Sequence, residues 1–179
     1  MARLAEEIHG QISEGVIKHL IELMEKTIGV NTVRVILRKL GTNSQQLCGQ
    51  QLVMAFTEET QNLLGAKGAF ATLRQLGRDL AKEVASAHPR EHWEQALEQG
   101  LNEMGFARGV RRDLDKAFIC SCVFFDGLAQ RGLQPTQHAV CWAGWGFIEG
   151  FMKLMDGTKH IEWVARDHEN ERCEFCFHR

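Results

Sequence analysis

The chain reads as an α+β domain: N-terminal helices packed on a small antiparallel sheet, with an embedded helix before the last two strands. Three observations lead there. Apolar residues recur at helical spacing over the first hundred positions. The texture then changes, after Gly105, to short apolar runs. Finally, HIEWVA and CEFCFH flank the polar loop RDHENER, the pattern of two closing strands. Helices gathered on one face of a sheet form a common layer architecture. With 179 residues the chain is long enough for one hydrophobic core. A single domain over 1–179 is expected, with 1–59 as a helical N-terminal extension of the same unit.

Each element has its own signal. Ile8, Ile12, Val16, Leu20, Leu23 and Met24 approximate a helical stripe that Gly29 interrupts. Val33, Ile36, Leu37 and Leu40 form a second stripe, ended by Gly41. Asn43 and Ser44 begin a weaker segment through Leu52 and Phe56, and a helix continues through Phe70, Leu73, Leu76 and Leu80. Pro89 breaks the chain, and a further helix carries Trp93, Leu97 and Leu101 to about Gly105. Phe106 to Val110 reads as a short strand, RRDLDK as a turn, and FICSCVFF from Phe118 to Phe125 as a strand apolar on nearly both faces. AVCWAGWGFIEGFMKLM fits a helix with Trp142, Trp145, Ile148 and Met152 inward. Gly144, Gly146 and Gly150 cost helix propensity there, which signals close packing against another element.

Composition narrows the function classes. Hydrophobic residues make up 44% and charged residues 25%, the balance of a soluble globular chain. A formal charge of −2 gives no basic excess, so no nucleic-acid partner is expected. No run of eighteen apolar residues predicts a membrane span. MARLAEEIHG lacks an apolar signal core, and a cytoplasmic location is the resulting expectation. Six cysteines are too sparse for a disulfide scaffold, and in a reducing compartment they point to metal binding, redox work or burial.

The densest chemistry lies at the C-terminal end. From Glu162 the chain runs EWVARDHENERCEFCFHR, with Cys141 upstream in VCWAGWGF. Cys173 and Cys176 have CxxC spacing, which chelates a metal when the chain turns between them; in a continuous strand they face opposite ways. Cys141, Glu162, His168, Cys173 and Cys176 are therefore the candidate ligands, beside a reading in which the cysteines are buried or reactive thiols and Glu162 and His168 are solvated. Zinc is the leading cofactor, with iron or an iron–sulfur cluster as the alternative. Cys120 and Cys122, two apart in FICSCVFF, are expected to share a strand face as core residues. No HExxH and no glycine-rich phosphate loop after a strand occurs, so no catalytic residue is assigned.

LGRDLA, the helix of Trp93, FICSCVFFDG, CWAGWGFIEGF and the terminal CEFCF together resemble the 4-vinyl reductase-type domain family, over about residues 60–178. That family is similar in fold to vesicle-tethering-complex subunits and to aromatic-effector sensor domains. The resemblance implies a layered, often dimeric domain with a hydrophobic ligand cavity. It also implies a structural zinc held by three cysteines and a glutamate, with Cys141, Glu162 and Cys173 at matching positions. Ala165 stands where the remaining cysteine would fall, which leaves Cys176, His168 or His178 to replace it.

The expected function is a small hydrophobic-ligand-binding sensor or accessory protein with a metal-stabilised C-terminal hairpin. Phe118, Phe124, Trp142, Trp145 and Phe147 are its candidate ligand contacts, although each reads more readily as core packing. Two other readings stand beside it. One is a metal- or thiol-dependent enzyme acting on a hydrophobic or tetrapyrrole-like substrate. The other is a protein-interaction scaffold subunit. A homodimer is the expected oligomeric state.

Overall fold

A computed structural model describes residues 12–41 and 49–178. Ile8 and the start of the segment at Asn43 and Ser44 lie outside the described residues. Helix α1 (Glu14–Ile28) starts at Ser13, whose hydroxyl accepts from the Val16 N–H, the expected N-cap geometry. Helix α2 (Val30–Leu40) follows directly, and Gly29 between them has a φ of +87°. Helix α3 (Gly49–Ser86) is long and is broken once, at Gly65, where φ is +72° and ψ is 163°. Helix α4 (Trp93–Glu103) leads into strands β1 (Gly109–Asp113) and β2 (Lys116–Cys120). A short α5 (Phe125–Gln130) and the long α6 (Ala139–Asp156) precede β3 (His160–Asp167) and β4 (Arg172–His178).

The four strands form one antiparallel sheet in the order β1-β2-β4-β3. The α+β architecture read from the sequence is therefore the observed one. Pairing fixes the faces: Ala117 lies opposite Phe175, Ile119 opposite Cys173, and Ile161 opposite Phe177, and these residues turn toward the helices. Phe118, Glu174, Cys176 and Glu162 alternate onto the outer face.

Helices α3 and α6 form the spine of the core, packed backbone against backbone. A Cβ on Gly77 would lie 2.0 Å from the Ala143 carbonyl oxygen, and one on Gly146 the same distance from that of Arg74. The glycines of CWAGWGFIEG thus serve the close packing expected of them. Across this crossing Glu149, 4% exposed, accepts from Arg74 Nε and Arg78 Nε at 2.8 Å each, and Lys153 Nζ lies 3.0 Å away. Burial pushes the Glu149 carboxyl up, but hydrogen bonds from Arg74 and Lys153 and the charges of Arg74 and Arg78 outweigh it, holding it at about 2.

Two sheet expectations need correction. FICSCVFF is not one strand: β2 stops at Cys120, because Ser121 turns to a φ of +48° and its N–H donates to the Glu171 carbonyl. The chain then enters α5, so the even spacing of Cys120 and Cys122 no longer sets a shared strand face. The first strand lies later than Phe106–Val110, and RRDLDK is mostly strand. Arg111, Arg112 and Asp113 pair with Phe118, Ala117 and Lys116, leaving a two-residue turn at Leu114 and Asp115. Its polarity reflects a strand at the sheet edge rather than a loop.

Candidate functional site: an apolar cavity with a thiol wall

Between the helices and the inner face of the sheet lies a cavity of about 140 Å³. Leu20 and Met24 of α1 line it, with Phe56 and Leu73 from the two halves of α3, Phe147 of α6 and Phe175 of β4. The kink at Gly65 lets one helix wall the cavity twice, since Leu52 to Thr57 and Leu73 to Leu80 approach it from separate directions.

Cys122, Cys141 and Cys173 meet at the same cavity, brought there by the β2–α5 connection, the first turn of α6 and the inner face of β4. All three thiols are protonated at neutral pH. Burial pushes Cys122 up to about 12, drives Cys141 well above the ordinary thiol range, and raises Cys173, while the nearby Arg166 charge only partly offsets this. A neutral buried thiol is a poor nucleophile and a poor metal ligand. Trp163 completes this wall, its indole beside Cys173. It follows Ile161 on the inner face of β3, and a bulge at Val164 immediately after it shifts the register against β4.

The candidate ligand contacts divide. Phe124, Trp145 and Phe147 line the cavity. Trp142 instead stacks between Phe70 and Trp145, at centroid distances of 5.1 and 4.6 Å, with the Arg74 guanidinium over the pair. Phe118 is on the outer face of the sheet beneath Arg172.

The candidate metal ligands divide too. Cys141 and Cys173 face the cavity, whereas Cys176 pairs opposite Glu162 on the outer face. Strand β4 runs unbroken from Arg172 to His178, so the bend that CxxC chelation requires is absent and the period of two separates Cys173 from Cys176. Glu162 is exposed between His160 and His178, whose Nε2 atoms lie 3.3 Å from its two oxygens. His168 is exposed in the β3–β4 turn, its ring 5.4 Å from that of Phe125. Among the described residues no group of three or more His, Cys, Asp or Glu side chains is arranged to hold a metal, which corrects the expected zinc-binding cluster. The hairpin itself is present; its turn is closed by Asp167, which accepts from Asn170 and Arg172.

No protein-family model matches the chain, and no curated protein matches it. Solved structures do match. The fold is that of the H-NOX domains. A Cs H-NOX mutant with an unnatural amino acid superimposes with a TM-score of 0.55 at 14% identity, covering 91% of this chain and 95% of its own. A structure from a study probing heme distortion in the H-NOX family gives 0.53 at 14%, covering 89% and 92%. A mutant H-NOX of T. Tengcongensis gives 0.52 at 13%, covering 91% and 96%. These matches correct the resemblance to 4-vinyl reductase-type and vesicle-tethering folds. The short motifs behind that resemblance serve other ends here: Gly146 and Gly150 pack α6 on α3, and Cys141 and Cys173 line the cavity.

Sequence reasoning passed over Trp163, Arg74 and Arg78. The signals were present: Ile161 and Trp163 alternate on one strand face, Arg74 and Arg78 are four apart on one helix face, and Glu149 is an isolated acid within apolar GFIEGFM.

Proposed function

We propose that this chain is a small-molecule-binding domain of the sensor type, whose ligand is a compact apolar molecule held directly in the cavity between helices and sheet. The observation that carries the reading is the cavity's lining: leucines, phenylalanines, valine, methionine, tryptophans and neutral thiols drawn from helices α1, α3, α4 and α6 and from the sheet. Apolar concave sites with a few polar groups are the usual form of a small-ligand pocket. No described helix is long and apolar enough to cross a membrane.

The matched structures include one concerned with heme, so heme is the first candidate to test against these residues. It does not fit them. No histidine, lysine or arginine is among the described residues lining the cavity, so neither a proximal imidazole nor a cation for the propionates is supplied. The three cysteines are the remaining iron donors, and burial holds them as thiols rather than thiolates. A cavity of about 140 Å³ is also below the roughly 300–1,000 Å³ typical of sites for larger ligands. It is close to the ~150 Å³ of an engineered apolar cavity that binds benzene or xenon.

The test is thermal unfolding of the purified chain against compact apolar molecules such as toluene, indole and cyclohexane. A ligand at a hundred times its Kd stabilises by about 2.7 kcal/mol, which for a chain of this length raises Tm by about 5–10 °C. Ala143→Leu, placed at the cavity wall, should abolish that response while leaving the protein folded. If no compound in the panel shifts Tm, the proposal is wrong.

A further inference from the structure

The five free thiols of the described residues fall into two sets. Cys120 and Cys176 alternate onto the outer face of the sheet. Cys122, Cys141 and Cys173 line the apolar cavity, although the β2–α5 connection, α6 and β4 supply them from distant parts of the sequence. Cys173 packs against the main hydrophobic cluster of the core, Cys141 against the smaller one, and Cys122 against both. Cys122 is thus the thiol that shares its surroundings with each of the others.

The three are not equivalent. Cys173 sits opposite Arg166 in the β3–β4 ladder. The Arg166 guanidinium donates to the Phe125 carbonyl and lies over the Phe125 ring, 3.6 Å from its centroid. That anchorage holds a cation beside the thiols. The Trp163 indole N–H also lies against the Cys173 sulfur. A cation and an N–H donor both favour a sulfur anion, so Cys173 is the best placed of the three to act as a nucleophile. Protonated thiols react slowly with reagents in bulk water, but a reagent held in the cavity gains from proximity.

We propose that Cys173 is an oxidation site for small organic hydroperoxides that enter the apolar cavity, with Cys122 as the thiol that closes a disulfide onto it. The Cys173 sulfur attacks the terminal peroxide oxygen. An S–O bond forms, the O–O bond breaks, and the thiol proton leaves with the alkoxide as an alcohol. The Cys122 sulfur then attacks the sulfenic acid; an S–S bond forms, and the hydroxyl leaves as water with the Cys122 proton. The two sulfurs are oxidised and the peroxide is reduced, with no further reactant. The assignment rests on the cavity being a ligand site and adds the chemical class of the ligand. The apolar wall selects the oxidant, because it accepts an alkyl group and offers hydrogen peroxide little in place of its hydration. Each buried methylene is worth about fourfold in binding, so a tert-butyl group should favour its hydroperoxide by at least about tenfold.

The experiment treats the full, reduced chain with tert-butyl hydroperoxide or hydrogen peroxide and maps oxidation at each cysteine by mass spectrometry. Cys120 and Cys176 are the reference, since they face away from the cavity. Relative to them, tert-butyl hydroperoxide should oxidise Cys173 at least about tenfold faster than hydrogen peroxide does, ending in a Cys122–Cys173 disulfide. Cys122→Ser should instead leave a sulfenic acid on Cys173 that dimedone traps. Trp163→Phe, which keeps a ring and removes the donor, should move the pH profile of Cys173 oxidation upward and leave those of Cys120 and Cys176 in place. Should either variant fail to fold, the two peroxides on the unaltered chain decide the matter alone. The proposal is overturned if Cys173 shows no greater preference for the organic hydroperoxide than the reference thiols, or forms no disulfide with Cys122. If compact apolar compounds nonetheless raise Tm, the cavity stands as a ligand site without this chemistry; if they do not, both readings fall.

Discussion

Gly146→Ala tests the helix crossing on which the cavity depends. The added methyl group would sit 2.0 Å from the Arg74 carbonyl oxygen and 2.8 Å from its carbon, whereas ordinary contact begins near 3.4 Å. Both obstacles are backbone, so no side-chain rotation relieves them, and α3 and α6 must separate by more than an ångström. That movement lengthens the bonds from Arg74 and Arg78 to Glu149 and loosens the core around Phe147 and Ile148, both almost fully buried. Overpacking of this kind costs about 1–3 kcal/mol and sometimes more, and loosening the buried ion cluster adds to it. Alanine returns about 1 kcal/mol through helix propensity. With about 1 kcal/mol for the loosened ion cluster, a net loss of about 1–3 kcal/mol is expected, a large share of the ~5–15 kcal/mol that holds a typical domain together. Urea unfolding followed by far-UV circular dichroism measures it. Gly127→Ala in α5 is the control, since nothing lies within 4 Å of its added Cβ; it should be neutral or stabilising by up to about 1 kcal/mol. A Gly146→Ala protein with an unfolding midpoint equal to or above that of the unaltered chain would refute the close-packing argument.

Three further outcomes follow from the same structure. Gly65→Ala should cost about 1–3 kcal/mol, because a φ of +72° with ψ near 163° is nearly restricted to glycine; unchanged stability in urea would show that α3 passes this point without its kink. Glu149→Gln should destabilise by about 3–5 kcal/mol, since it leaves Arg74 and Arg78 facing a neutral partner at a buried site, and a loss under 1 kcal/mol would contradict the clamp. Acid should weaken the fold in two stages. Burial, aided by the Arg131 charge, lowers His138 from 6.5 to about 4, so the unfolded chain takes up the proton first and stability falls between pH 6.5 and 4. Glu149, lowered from 4.5 to about 2, adds a second loss between pH 4.5 and 2. His138→Asn retains an acceptor at the α6 N-cap and should remove the upper stage alone, as read from urea midpoints across pH.

Much of the architecture was legible because local periodicity and core burial agree. Leu73, Leu76 and Leu80 repeat at helical spacing and are buried, and Ile161, Phe175 and Phe177 alternate onto the inner face of the sheet. The β3–β4 hairpin followed from two apolar runs around a polar loop. FICSCVFF misled because continuous apolarity does not distinguish a strand from a strand, a turn and a helix start; the positive φ at Ser121 decides it and leaves no periodic trace. The site was harder. Cys141 and Cys173 do converge on the cavity, but strand period sends Cys176 and Glu162 to the other face, so the five candidate ligands do not gather. Trp163 carries no motif at all: only the pairing of β3 with β4 brings its indole to the cavity wall beside Cys173.

The most direct test of the central claim is a crystal structure of the protein pressurised with xenon, which reports a dry apolar cavity irrespective of ligand chemistry. The account predicts a xenon site enclosed by Ile119, Phe147 and Trp163, between the helices and the inner face of the sheet. A chamber that is collapsed, or filled by ordered water and free of xenon, would contradict it.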